Sequence, residues 1–171
     1  MALQSGYFEV NASVGETLAV PEDRSGTIFD SIRQSYSFTA GAIAGTNNLI
    51  WSDRRTVGAG ATDTIDLNGG GLTDAFGVAV NFGSVTGICI FNRETVAATR
   101  ILNFRPAAAA TFLWTFGAVG NTLAIAPSGA YIQWDDAVGG HLCPAGADSL
   151  SLVNTDGANG VTYDILIVGR V

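Results

Sequence analysis

Lysine is absent: the eight basic residues are all arginine and are outnumbered by fifteen acids, leaving a net charge of -7 over 171 residues. A nucleic-acid backbone is tracked by a stripe of positive charge, so this balance excludes that class of partner. Charged residues make up 13% of the chain, about half of the roughly 25% found in ordinary soluble domains. The surface must therefore be built of Ser, Thr, Asn, Gly and Ala, and other subunits are expected to cover part of it. Histidine occurs once, as His141, and cysteine twice, as Cys89 and Cys143. A metal site needs two or more His or Cys at ligand spacing plus a second cluster, and a hydrolase triad needs a base beside a nucleophile elbow. His141 and Cys143 stand alone in DDAVGGHLCP, so no catalytic residue, metal or cofactor is expected.

The opening MALQSGYFEV has no basic start followed by an apolar stretch, and no apolar run reaches the roughly 18 residues of a membrane span. The expectation is a chain with no signal peptide and no membrane partner. Cys89 lies in the apolar GICIF and Cys143 in HLCPAG, settings that read as buried or incidental thiols in a protein made in a reducing cytoplasm.

What the chain has in abundance is period-two alternation. Runs such as LIWSDRRTV, DTIDL, VAVNF, GICIFN, RILNF, TLAIA, AYIQW, SLSLVN and TYDILIV recur along it, with 22 glycines in the chain to punctuate them. Short apolar-alternating runs at roughly 8 to 15 residue spacing predict an antiparallel β-sandwich of jelly-roll type over residues 47–171. Residues 1–46 alternate less regularly and end in a Gly- and Asn-rich exit. They read as an N-terminal extension, packed on the sandwich or on a neighbouring subunit. Within it, RSGTIFDSIRQSYSF is the one segment where a helical turn competes with strand, because Ile28, Phe29 and Ile32 fit a helical face. The predicted core comprises Trp51, Phe76, Val80, Phe82, Ile88, Ile90, Leu123, Ile125, Ile132, Leu150, Leu152, Ile165 and Ile167.

Few groups suggest chemistry. Asp63, Asp66, Asn68 and Asp74 supply oxygen atoms, but their spacing does not match a calcium loop and the closing Glu is missing. The glycines at 69–71 lack the Lys-Ser/Thr of a phosphate loop and read as turn punctuation. In NTDGANG, before the last strand, Asp156 and Asn159 read as exposed turn residues. Arginine and aromatic residues are enriched at protein interfaces, which makes Arg54, Arg55, Trp114 and Trp134 the interface candidates.

Several of these pieces carry a likeness: Trp51-Ser52-Asp53, the stretch Asp63 to Leu67, LTDAFG at 72–77, Pro127-Ser128-Gly129, and Tyr163-Asp164-Ile165 with Val168-Gly169. Together they resemble the small all-β virion proteins of tailed bacteriophages, encoded among head and tail structural genes. Members usually close with a short apolar-then-small tail, where this chain has Arg170-Val171. The resemblance implies a non-enzymatic particle component made in the host bacterial cytoplasm. Its expected place is the capsid surface, as a decoration or cement protein contacting the major capsid protein and other copies of itself, with a homotrimer expected. A tail or baseplate component is the first alternative. A carbohydrate-binding sandwich for host adsorption, using Trp114 or Trp134, is the second.

Overall fold

The computed structural model describes the backbone of residues 5–19, 25–40 and 46, and backbone and side chains of 47–74, 76–95, 99–107, 121–135, 140–144, 146 and 148–171. Every regular element among them is a strand. In chain order these are β1 (Ser5–Ala19), β2 (Ser25–Ala40), β3 (Thr46–Asn47), β4 (Leu49–Val57), β5 (Thr62–Asp66), β6 (Leu72–Thr73) and β7 (Ala79–Val80). There follow β8 (Ser84–Asn92), β9 (Leu102–Pro106), β10 (Leu123–Ile125), β11 (Ala130–Trp134), β12 (His141–Leu142), β13 (Ser149–Asn154) and β14 (Val161–Arg170).

Two antiparallel sheets form the sandwich, one in the order β11-β8-β14-β4 with β12 also on β8, the other β10-β9-β13-β5. This is jelly-roll order. β4 pairs with β14, β5 with β13 and β9 with β10, while β8 pairs with β11. The chain is thus one long hairpin folded over on itself, which distributes alternate paired segments between two sheets. The small β6–β7 hairpin sits between β5 and β8 in sequence and is tied to the sandwich by Trp51, whose Nε1 donates to the Thr73 carbonyl at 3.1 Å.

Alternation accounts for the core. In β14, Val161, Tyr163, Ile165 and Ile167 face the opposite sheet and are buried, and the register sets Ile167 beside Trp51 on one side and Ile88 on the other. Ile65, Leu102, Phe104, Leu150 and Leu152 face them from the second sheet. Three predicted core residues lie elsewhere. Phe76 is 73% exposed, because Asp74 Oδ1 accepts from the amides of Phe76 and Val78 and folds this segment into a projecting turn. Ile132 and Leu123 are 39% and 36% exposed: Ile132 lies on the outward face of the edge strand β11, beside Cys89, whereas Leu123 shares the core face with Phe104 and Ile125 but is the first residue of the edge strand β10. Asp156 also departs from expectation. It is only 9% exposed, its Oδ1 accepting from the amides of Ala158 and Asn159 and its Oδ2 from the Thr99 hydroxyl.

The segment in which helix competed with strand is β2. It pairs along its length with β1 as a two-stranded ribbon, and its last residues join β3 in parallel. Residues 28 and 32 are four apart, a spacing that serves one face of a strand as well as one face of a helix. Directly opposite residues of an antiparallel pair share a face, so the register divides the ribbon. One face takes Phe8, Val10, Ala12, Val14 and Leu18 from β1, and Ile28, Ile32, Tyr36 and Phe38 from β2, together with Glu16, Asp30 and Gln34. The other takes Ser, Thr, Asn, Glu9 and Arg33, interrupted by Tyr7 and Phe29. Among the described residues, β1 and β2 pack chiefly on each other, with β3 the one further strand in substantial contact with β2.

Candidate functional site

The sheet β11-β8-β14-β4 turns one face to the core and the other outward, and its registers lay the outward positions in rows. One row is Arg54, Asp164, Phe91 and Ala130; the next is Ser52, Leu166, Cys89 and Ile132; the third is Ile50, Val168, Gly87 and Trp134. Polar residues would be ordinary here. Instead the middle of the face is apolar, with Ile50 44% exposed, while Val168 at 3% and Gly87 are covered. Gly87 leaves room for the Trp134 ring to lie against the sheet: a Cβ added there would stand 2.4 Å from Trp134 Cε3. A shallow depression of about 370 Å³ opens on this side between Arg54, Cys89, Phe91, Asp164 and Leu166.

Charge borders the face at one end. Arg54 Nε donates to Asp164 Oδ1 at 2.6 Å and its Nη2 to Oδ2 at 3.1 Å, while Arg93 Nη1 approaches Oδ2 at 3.6 Å. The Arg54 hydrogen bonds hold the Asp164 carboxyl below its ordinary range. Arg93 also lies over the Phe91 ring at 5.5 Å from its centroid.

Arg55, although adjacent to Arg54, points to the other side of β4. Its Nη1 donates to both oxygens of Asp63 at 2.9 and 3.1 Å, its Nε to Asp53 at 3.2 Å, and its guanidinium stands 5.9 Å from the Trp51 ring centroid. The buried Tyr163 hydroxyl donates to Asp63 Oδ2 at 2.7 Å. Since Asp63 is on β5 and Tyr163 and Arg55 belong to the opposite sheet, this network clasps the two layers together at their open side. Burial first, and the Asp63 carboxylate next, push the Tyr163 phenol up. Such a phenol stays neutral and donates.

Of the four candidates, Arg54 and Trp134 therefore share one face at opposite edges of its sheet, Arg55 belongs to the interlayer clasp, and Trp114 lies outside the described residues. The sequence reading missed Asp164, Phe91, Leu166 and Cys89. The signal available for them was the unbroken apolar run ILIV in β14, where alternation fails because both faces are apolar.

The oxygen-rich residues do not converge. Asp63 serves the clasp, Asp66 Oδ1 accepts from the Asn68 and Gly69 amides, Asn68 Nδ2 donates to the Cys143 carbonyl, and Asp74 builds its own turn. Asp148 is buried, and burial first, then the Asp66 carboxylate, raises its carboxyl. His141 Nε2 lies 2.8 Å from Asp135, whereas the Cys143 thiol reaches the His141 carbonyl and not its ring. Burial pushes that thiol up to about 12, which keeps it from acting as a thiolate near neutrality. No group of three or more metal-ligating side chains occurs among the described residues. No protein-family model, curated protein or solved structure matches the chain.

Proposed function

We propose that the chain is a non-enzymatic structural protein of a tailed-phage particle, a decoration protein that binds the outside of the head and stabilises it through many modest contacts. The observation that carries this reading is the outward sheet face, apolar through Leu166, Cys89, Ile132 and Trp134 and bordered by the Arg54–Asp164–Arg93 group. Apolar centre and charged rim is the anatomy of a protein interface. Repeated by the symmetry of a shell, a weak contact of this kind gains through avidity. The motif likeness over residues 47–171 supports a virion component, and jelly rolls recur in viral capsid and lectin domains. Fold alone does not assign function, so the argument rests on the surface.

Cryo-electron microscopy of particles carrying the protein tests the proposal. Density for the jelly roll on the capsid exterior, with binding to undecorated heads weakened by Leu166→Asp, is the expected result. Density in the tail would assign the protein to the baseplate or tail tube instead. Trp134 favours one second reading, because an aromatic ring laid on an open sheet face is a platform for a sugar. Glycan binding abolished by Trp134→Ala, with head binding intact, would replace decoration by adsorption.

A further inference from the structure

A two-stranded ribbon on its own is marginal in water. Here β1 and β2 extend over 15 and 16 residues, about 50 Å at the rise of an antiparallel strand, and among the described residues their main neighbours are each other. The register gathers most of the apolar residues of both strands on one face, with Tyr7 and Phe29 on the other. That face has a pattern along its length. Its base half carries the aromatic residues Phe8, Tyr36 and Phe38 together with Gln34; its tip half carries aliphatic residues and the only two charges on the face, Glu16 and Asp30.

We propose that this face is a self-association surface, on which a second copy of the chain lays the same face with the two ribbons antiparallel. Full overlap of the two ladders puts the two-fold axis at the central pair, Ala12 and Ile32. Phe8 and Tyr36 of one copy then share a level with Glu16 and Ile28 of the other, and Val10 and Gln34 with Val14 and Asp30. Each carboxylate meets the level of a hydrogen-bond donor, the Tyr36 hydroxyl or the Gln34 amide. A parallel arrangement sets Glu16 against Glu16 and Asp30 against Asp30, and like charges at one level repel. The aromatic base also meets an aliphatic tip, so large residues fall opposite smaller ones, and the small Ala12 lies where the copies cross. Two strands about 4.8 Å apart and about 50 Å long offer about 500 Å² per copy, hence about 1,000 Å² in a pair, the lower bound of a biological interface and the size of a weak, reversible one. The contact is isologous, using the same patch on both copies. It does not depend on the particle reading.

Sedimentation of the full chain, compared with two neighbouring substitutions, tests this. Ile32→Glu, on the apolar face, should weaken dimerisation by roughly tenfold or more, whereas Ser31→Glu, one residue away on the opposite face, should leave it unchanged. The melting of the jelly roll, followed by Trp fluorescence, should stay the same in both. Nitroxide pairs at Asn11→Cys and Thr17→Cys, in a Cys89→Ser background, distinguish the orientation. Antiparallel ribbons give axial offsets of about 7 Å and about 34 Å for the two positions, and parallel ribbons give equal distances. A chain that stays monomeric at all concentrations, equal effects of the two Glu variants, or equal label distances would each overturn the proposal. So would a monomer whose binding to purified heads is abolished by Ile32→Glu, which would assign the face to a capsid partner.

Discussion

Removing one oxygen atom should loosen the join between the two sheets. Tyr163→Phe keeps the buried ring and deletes the hydroxyl that donates to Asp63 at 2.7 Å. A hydrogen bond to an ionised partner contributes roughly 1.5–3 kcal/mol. Asp63 keeps both bonds from Arg55, so the carboxylate is not stranded and the lower end, about 1.5 kcal/mol, applies. In a domain of this size that lowers the melting temperature by roughly 3–8 °C. The same substitution should change the alkaline limb of the stability profile. The folded-state phenol is raised, so its contribution is fully present below the ordinary tyrosine value near 10 and is lost as pH rises through the folded value. Wild type should therefore lose stability above about pH 10 more steeply than Tyr163→Phe. A double-mutant cycle with Asp63→Ala, read by urea denaturation, should give a coupling of about 0.5–3 kcal/mol. Additive single effects, or identical alkaline limbs, would refute the clasp.

Other expectations follow from packing and charge. Ile167→Asp puts a carboxylate among Trp51, Ile88 and the facing sheet, costing several kcal/mol against a total of roughly 5–15, so far-UV circular dichroism should report an unfolded chain. Asn159→Ala, in the exposed part of the last turn, should cost about 1 kcal/mol or less in a thermal melt. Asp156→Ala should lower the melting temperature more than Asn159→Ala, because it releases the amides of both Ala158 and Asn159. The raised carboxyl of Asp148 contributes stability below the ordinary aspartate value near 3.9 that is lost as pH rises through its folded value. Asp148→Asn should flatten urea midpoints measured from about pH 4 to about pH 8. Gly169→Ala sets a Cβ 2.2 Å from the Ser84 carbonyl oxygen, a backbone atom that cannot swing aside, and soluble folded protein should not be recovered.

The sandwich was legible because its strands alternate: Leu150 and Leu152, Ile165 and Ile167, and Ile88 and Ile90 each mark a buried face two residues apart. The same rule failed at Phe76, where Asp74 bends the backbone into a turn and period two no longer applies. It failed at Ile132 because alternation tells which residues share a face and not whether that face meets the core; at Leu123 the face is the core face, shared with Ile125 and Phe104, but the residue opens an edge strand and stays exposed. The outward patch was hidden for a related reason. Leu166 and Val168 are the apolar back of a strand whose front is already buried, so apolarity alone does not tell its two faces apart. Arg54 and Arg55 read as a pair in sequence, yet neighbours on a strand point to opposite sides, and only the register with Asp164 and the reach to Asp63 separates their roles. Asp156 reads as a solvent-facing turn residue because turn formers look alike whether their side chains cap amides or face water.

Position in the fold and order of synthesis are at odds for β14. It follows every other described strand along the chain, yet it lies inside its sheet, between β8 and β4. The bonds from Arg54 to Asp164 close a separation of 110 residues, for which the length-dependent part of the loop-closure cost alone is about 4 kcal/mol. A ribosome therefore delivers β4 and β8 long before the strand that joins them, and both must wait with unpaired edges. Folding should be slow and governed by non-local pairing, and the waiting strands are aggregation-prone until the final segment emerges. An interrupted translation product cannot assemble the outward face at all, since its middle column is β14. Asp164 and Leu166 are part of that surface, so a chain cut short before β14 cannot present it.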